Sequence, residues 1–248
     1  MATVRHAHSS SLYSEGVNSL ADQVERATEA DDPNATVLTF TEVGSPERSA
    51  ALKNADPDHW AAWIPDQSDV AIMWRKANYS PVWKKPIKLT DKEWTDGKGR
   101  KHQTWCASAL LKHTEGHKLF VSVCHLPSNV QNGSKFNDNK QSAAWKDAVN
   151  NGWHKHWNDV KKKDKPALGI LTGDWNIDFH SGHWRGYVQD IFDSMHLGWK
   201  GHMPPDGKGT HGHRLIDASW SSKKANKCVL LKDDGSSDHR PFGEAIPL

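Results

Sequence analysis

The sequence predicts an α/β fold built in layers, with helices outside and two sheets inside. Three observations carry that expectation: strands and helices alternate early in the chain, consecutive strands follow, and the strand total exceeds one ordinary sheet. Residues 2–7 read as a short strand. An amphipathic helix follows, with Tyr13, Val17, Leu20, Val24 and Ala27 at the three-to-four spacing of one helical face, until Asp31, Asp32 and Pro33 end it. Thr36-Val37-Leu38-Thr39-Phe40 is short, apolar and β-branched, which predicts a buried strand, and Ser45-Pro46-Glu47 opens a second helix with proline in its first turn. Between Trp60 and Cys124 the pattern changes to strands over 70–74, 82–89, 105–111 and 119–124, divided by Asn78-Tyr79-Ser80, Asp96-Gly97-Lys98-Gly99 and Glu115-Gly116. A polar loop over 127–139 leads to a long helix carrying Trp145, Val149, Trp153, Trp157 and Val160 on one face, and the lysines of 161–165 close it. Strands over 167–171, 215–218, 228–231 and 241–246 complete the reading.

Composition bounds the rest. The chain has 248 residues and 27.8 kDa and is read as one domain, 1–248, long enough to bury a core without disulfides or a structural metal. Mean hydropathy is -0.77, yet 13 Trp supply apolar area that a disordered chain lacks. No run approaches the roughly 18 apolar residues of a membrane span, and residues 1–11 lack the apolar stretch of a signal peptide, so a soluble, unprocessed protein with no membrane partner is expected. Cys106, Cys124 and Cys228 are odd in number and set among apolar neighbours, which suits reduced thiols and a cytoplasmic setting. Lys+Arg 32 against Asp+Glu 30 gives +2, too small an imbalance to mark a nucleic-acid binder by charge alone. Nothing points to an obligate protein partner.

Polar residues of catalytic type recur at the ends of expected strands, where α/β proteins place their sites. Glu42 follows Phe40-Thr41, His125 follows Val121-Ser122-Val123-Cys124, and Gly173-Asp174-Trp175-Asn176 follows Ile170-Leu171-Thr172. Asp217 closes Arg214-Leu215-Ile216-Asp217, and Ser237-Asp238-His239 precedes the last strand. Taken singly each has an ordinary structural explanation: Glu42 as a helix first-turn charge, Gly-Asp-x-Asn as an Asx turn, His125 as a hydrogen-bonded strand end, Asp217 as a surface residue, Ser-Asp-His as a cap. Their joint order weighs more than any one of them.

In that order, Thr39-Phe40-Thr41-Glu42-Val43, Val121-Ser122-Val123-Cys124-His125-Leu126, Gly173-Asp174-Trp175-Asn176, Arg214-Leu215-Ile216-Asp217 and Ser237-Asp238-His239 resemble the signature blocks of the endonuclease/exonuclease/phosphatase superfamily. Val70-Ala71-Ile72-Met73-Trp74-Arg75-Lys76 resembles its strand after the second helix, and the match covers nearly the whole chain. The resemblance implies a four-layer α/β/β/α sandwich with two central mixed sheets. It implies Glu42 as a metal ligand for Mg²⁺, or Mn²⁺, with Asp238 reaching the metal side. Asp174 would orient or deprotonate the attacking water, and Asn176 would hold that water or a phosphate oxygen. His239 would sit at the scissile phosphate with Asp217 as its carboxylate partner, and His125 would contact a non-bridging oxygen or the leaving group. One departure stands out: the family's asparagine at the end of the first strand is absent from residues 1–10, and Arg5, Thr3 and His6 are the candidates for its place.

The expected activity is divalent-metal-dependent phosphodiester hydrolysis by in-line water attack, with DNA as the substrate. The alternatives are a phosphatase or phosphodiesterase of inositol phosphates or lipids, a binding module that lost turnover, and an unrelated histidine-rich zinc protein. Lysines 84 and 85, 98 and 101, 161–163 and 223 and 224 either track a phosphate backbone or simply keep the surface solvated. Trp60, Trp63, Trp74, Trp83, Trp94 and Trp105 divide between core and ring stacking, and residues 127–139 and 180–184 flank the expected site.

Overall fold

A computed structural model describes residues 3–10, 36–96, 98–204, 209–231 and 239–248. The helix expected around Tyr13 to Ala27, and Asp238, lie outside the described residues.

Two six-stranded mixed sheets stack face to face. The first runs β15 (Lys227–Leu230), β16 (Phe242–Pro247), β1 (Thr3–Ser10), β2 (Val37–Thr41), β4 (Ala71–Arg75), β3 (Trp60–Trp63). The second runs β13 (Lys200–His202), β14 (Asp217–Ser221), β12 (Leu168–Asp174), β9 (Lys118–His125), β8 (Trp105–His113), β5 (Tyr79–Lys88). Each sheet has one parallel pair among the described strands, β1 with β2 and β9 with β12, and the other pairings are antiparallel. Two short hairpins stand apart: β6 (Trp94–Thr95) with β7 (Lys101–His102), and β10 (Gln131–Asn132) with β11 (Lys135–Phe136).

Alternation within the strands fills three cores. Val4, Val37, Ile72, Val121 and Ile170 meet between the sheets. Leu38, Phe40 and Met73, on the opposite faces of the same first-sheet strands, pack with Leu52 of α1 (Pro46–Asn54). The outer face of the second sheet carries Leu110, Phe120, Leu171 and Trp220 against α2 (Lys140–Asp147), α3 (His154–Asp164) and α4 (Gly182–Ser194). Helix, sheet, sheet and helix give the four layers that the resemblance implies.

The expected single long helix is instead α2 and α3 joined by a π-helical turn, Ala148–Trp153. Trp145, Val149, Trp153 and Trp157 are all buried, and three consecutive steps of four residues overshoot the 3.6-residue period by about 40° each. A wider turn absorbs that overshoot and keeps the tryptophans on the sheet. Gly152 lets this turn touch the chain, since a Cβ there would stand 1.8 Å from the Leu89 carbonyl oxygen.

Other boundaries moved. β1 runs to Ser10 rather than stopping at residue 7, because His6 and His8 are buried strand residues rather than surface ones. Residues 180–184, expected to flank the site, include the first turn of α4, whose Trp184, Val188 and Phe192 are buried. Trp60 and Trp74 are core, and Trp63, Trp83, Trp94 and Trp105 are half-buried. Cys106 and Cys124 are buried, Cys228 is half-buried, and all three are free thiols. No helix among the described residues is long and apolar enough to cross a membrane.

Candidate active site

Three of the expected residues stand abreast on three adjacent strands. His125 ends β9, Asp174 ends β12 and Asp217 opens β14, and the register pairs Asp174 with His125 on one side and with Asp217 on the other. Gly173 makes that row possible: its φ is +147°, and a Cβ would stand 1.8 Å from the Cys124 carbonyl oxygen. Asn176 turns the chain away with a left-handed φ of 54°. Its backbone N–H donates to Asp174 Oδ1 at 2.8 Å and its side-chain amide donates to the Leu126 carbonyl at 2.8 Å, which fixes both groups at the mouth of the site.

Glu42 arrives from the other sheet. It follows β2 with a left-handed φ of 63°, and the turn is clamped by Val43 N–H on the Asp69 carbonyl and by the Arg48 guanidinium on the Glu42 carbonyl, each at 2.8 Å. The helix starts later, at Pro46 with Ser45 as its cap, so Glu42 is no first-turn charge. Side-chain ligand atoms of Glu42, His125 and Asp174 lie within 4.8 Å of one another, and so do those of Asp174, Asp217 and His239. Asp174 belongs to both groups and ties Glu42 and His239 to one place.

Opposed charges explain the electrostatics. Burial pushes the Asp174 carboxyl up, the adjoining Asp217 pushes it further, and it reaches about 7 despite His125 and His239. Burial also disfavours ionised Asp217, but His239, whose Nδ1 donates to Asp217 Oδ2 at 2.7 Å, more than compensates and holds it below the usual carboxylate range. Burial disfavours a charged His125, yet Asp69, bonded to its Nδ1 at 2.8 Å, and then Asp174 and Glu42, raise it to about 10. The second group is therefore a hydrogen-bonded acid–imidazole pair. The first sets the carboxylates of Glu42 and Asp174 beside His125, whose Nε2 lies 3.7 Å from Asp174 Oδ2, and its two oxygen donors fit a hard divalent cation.

Asp69 was invisible to sequence reasoning. It is one acid in the run Asp66-Gln67-Ser68-Asp69 before β4, and only the turn at Val43 shows that it faces His125. At the end of β1 stands Ser10 rather than Arg5, Thr3 or His6. It pairs in register with Thr41, the residue before Glu42, and accepts the Thr41 hydroxyl at 2.7 Å. His8 faces the far side of Asp217, with Nε2 3.5 Å from Oδ1. The i, i+2 spacing of Val4, His6, His8 and Ser10 was the available signal, since it sets three polar residues on the face that Val4 turns to the core. Beside Glu42 and His125 opens a groove of about 560 Å³, bordered by Asp69 and by Trp94, Arg100 and His102 of the β6–β7 hairpin. Trp94 stacks on His102 with ring centroids 4.6 Å apart, and Arg100 is paired with Asp96 at 2.7 Å.

No family model matches the sequence, and no curated protein matches it. Solved structures do match. An endonuclease/exonuclease/phosphatase from Bacteroides vulgatus superposes with a TM-score of 0.73 at 12% identity, covering 100% of both chains. A mannosyl-6-phosphatase from Bacteroides thetaiotaomicron gives 0.72 at 14% identity, over 99% of this chain and 100% of the other. TDP2 from D. rerio, complexed with a single-strand DNA product, gives 0.66 at 12% identity over 100% of both chains. The chain thus has the fold of the endonuclease/exonuclease/phosphatase superfamily, and the resemblance stated from its sequence blocks holds at that level.

Proposed function

We propose that the protein is a divalent-metal-dependent phosphoester hydrolase, and within that class a phosphodiesterase acting on DNA. The observation that carries the reading is the single cluster around Asp174, which joins the Glu42 carboxylate and the His125 ring to an acid–imidazole pair (Asp217, His239). The donor set favours Mg²⁺, or Mn²⁺, held by Glu42 at the edge of this cluster, with Asp238 as a further ligand of the same type. Held there, a divalent cation would supply charge neutralisation for the phosphate. Asp174, fixed by the Asn176 N–H, would orient the attacking water and take its proton. Asp217 holds the His239 tautomer with Nδ1–H inward and directs its chemistry through Nε2 toward the phosphate. Asn176 and His125, the latter cationic beside Asp69, supply donors to non-bridging oxygens or the leaving group.

Trp94, Trp105, Lys98 and Arg100 on the adjoining groove favour a base-bearing polyanion over a small phosphate. The likeness to a structure holding a DNA product supports the same choice, and the likeness to a sugar phosphatase supports the wider class. We read residues 1–248 as one catalytic domain, and the free thiols favour the reducing cytoplasm. Nicking of supercoiled plasmid with Mg²⁺ tests the proposal against phosphate release from inositol phosphates. Asp174→Asn and His239→Ala should each cut turnover by about 10²–10⁴, the first with little change in Tm and the second with a lowered Tm, because the buried Asp217 carboxylate loses its partner. Normal cleavage by either variant would refute its role, and protection from heat by Mg²⁺ with no turnover on any phosphoester would favour a binding module.

A further inference from the structure

A polar seam crosses the inter-sheet core behind Asp217, and the reaction outlined above does not use it. Glu244 on β16 is buried and accepts three bonds: His6 Nδ1 at 2.8 Å and the Ser219 hydroxyl at 2.7 Å on Oε1, and His202 Nδ1 at 2.6 Å on Oε2. His202 Nε2 in turn accepts the Ala225 backbone N–H at 3.0 Å, so His202 is neutral with its proton on Nδ1. On the other side of His6, Nε2 meets Thr39 Oγ1 at 2.8 Å, and the same oxygen meets His8 Nδ1 at 3.0 Å. His8 Nε2 then faces Asp217 Oδ1. Among the described residues, these last two atoms are buried with no hydrogen bond of ordinary length to any other group.

Counting protons along this chain gives a definite answer. His6 Nδ1 must carry a proton for ionised Glu244. The Thr39 hydroxyl has one proton to give, and of its three neighbours the Ala7 carbonyl, at 3.4 Å, is more distant than either ring nitrogen. If it goes to His6 Nε2, His8 Nδ1 must donate to Thr39, and a neutral His8 then turns a bare Nε2 on the Asp217 carboxylate. If His8 instead keeps its proton on Nε2, Thr39 must donate to His8 Nδ1, and His6 Nε2 then needs a second proton to meet the Thr39 oxygen. With two neutral rings, one pair of lone pairs always collides in a buried place, where an unmade bond is costly. One extra proton removes the collision in either arrangement, and because burial lowers the His8 value more than Asp217 raises it, the second arrangement, with His8 neutral and protonated on Nε2, is favoured.

We propose that His8 is a positioning residue for the Asp217–His239 pair, and that His6, Thr39 and His8 carry one proton beyond two neutral imidazoles and a hydroxyl. That proton keeps an N–H of His8 on Asp217 Oδ1, the oxygen His239 does not use. The carboxylate is thereby held from both sides and the His239 ring is fixed. The kinetic consequence rests on the hydrolase reading, whereas the proton count does not.

Nitrogen-15 NMR of the whole protein at neutral pH should find three of the four ring nitrogens of His6 and His8 protonated; two would overturn the proposal. His8→Phe keeps a ring against Phe242, the aromatic neighbour of His8, but removes the donor, and should lower kcat about 10- to 100-fold with KM unchanged. His8→Gln, which places an N–H near the lost Nε2, should recover most of it, and Thr39→Val should reproduce the loss. Wild-type kcat in His8→Phe, or no recovery in His8→Gln, would overturn the positioning role. If the wild type hydrolyses no phosphoester, the proposed function fails alone. The role of His8 is then read from the His239 Nδ1–H resonance, which should shift in His8→Phe and persist in His8→Gln; an unmoved resonance would overturn it.

Discussion

Replacing Glu244 by glutamine gives the firmest test of the buried polar seam. Burial alone would raise this carboxyl, but the bonds from His202 and His6 outweigh it and bring it down to about 2 from 4.5. That displacement corresponds to about 3 kcal/mol in favour of the ionised form in the folded protein. Because the folded value lies below the unfolded one, the contribution is complete above pH 4.5 and is lost as pH falls toward about 2. Glutamine resembles the protonated acid at every pH. Urea unfolding of Glu244→Gln should therefore fall about 3 kcal/mol below wild type at pH 7, with the gap roughly halved by pH 3 and nearly closed by pH 2. A gap of the same size at pH 7 and pH 3 would show that Glu244 is not the ionised hub of the seam.

Three further expectations follow from other parts of the site and frame. In Asp69→Asn, the His125 ring should titrate well below its present value of about 10, as followed by its Cε1–H resonance; with Asp69 in place, the stabilisation from a charged His125 should persist below pH 6.5 and fade as pH rises toward 10. Glu42→Gln should raise the Mg²⁺ concentration for half-maximal activity about tenfold or more, and an unaltered requirement would remove Glu42 from the ligand set. Gly152→Ala should cost about 3 kcal/mol in chemical denaturation, because its Cβ meets backbone that cannot swing aside; a loss within 0.5 kcal/mol, the usual size for a surface substitution, would mean that the π-helical turn is not held against Leu89.

Strand-end chemistry was legible because two signals coincide in one short stretch. An apolar, β-branched run states where a strand is, and the first acidic, amide or imidazole residue after it states what the strand delivers. Glu42, His125, Asp174 and Asn176 are of this kind, whereas Asp217 opens β14 and His239 precedes β16 and stood out through their sequence blocks; the described structure gathers all six. Asp69 is not, since it leads into a strand from a run of turn residues and its value lies in a partner 56 positions away. His6 and His8 were hidden differently: polar residues alternating with small ones look like a wet strand face, and only the second sheet above them makes that face an interior. The π-helical turn was in principle readable from four-residue tryptophan spacing, but a period of 3.6 is the default assumption for any long amphipathic run.

Glu42 and Asn176 share a trait with a wider consequence. Both hold left-handed backbone that side-chain-bearing residues avoid at about 1 kcal/mol or more, and glycine would sit in either place at ease. A population of variants ranked only by heat resistance would thus be drawn toward glycine at the two positions that bring a carboxylate and an amide to the reaction centre. Durability and chemistry pull against each other at those turns, and a screen for improved versions of this protein has to reward turnover directly to keep them.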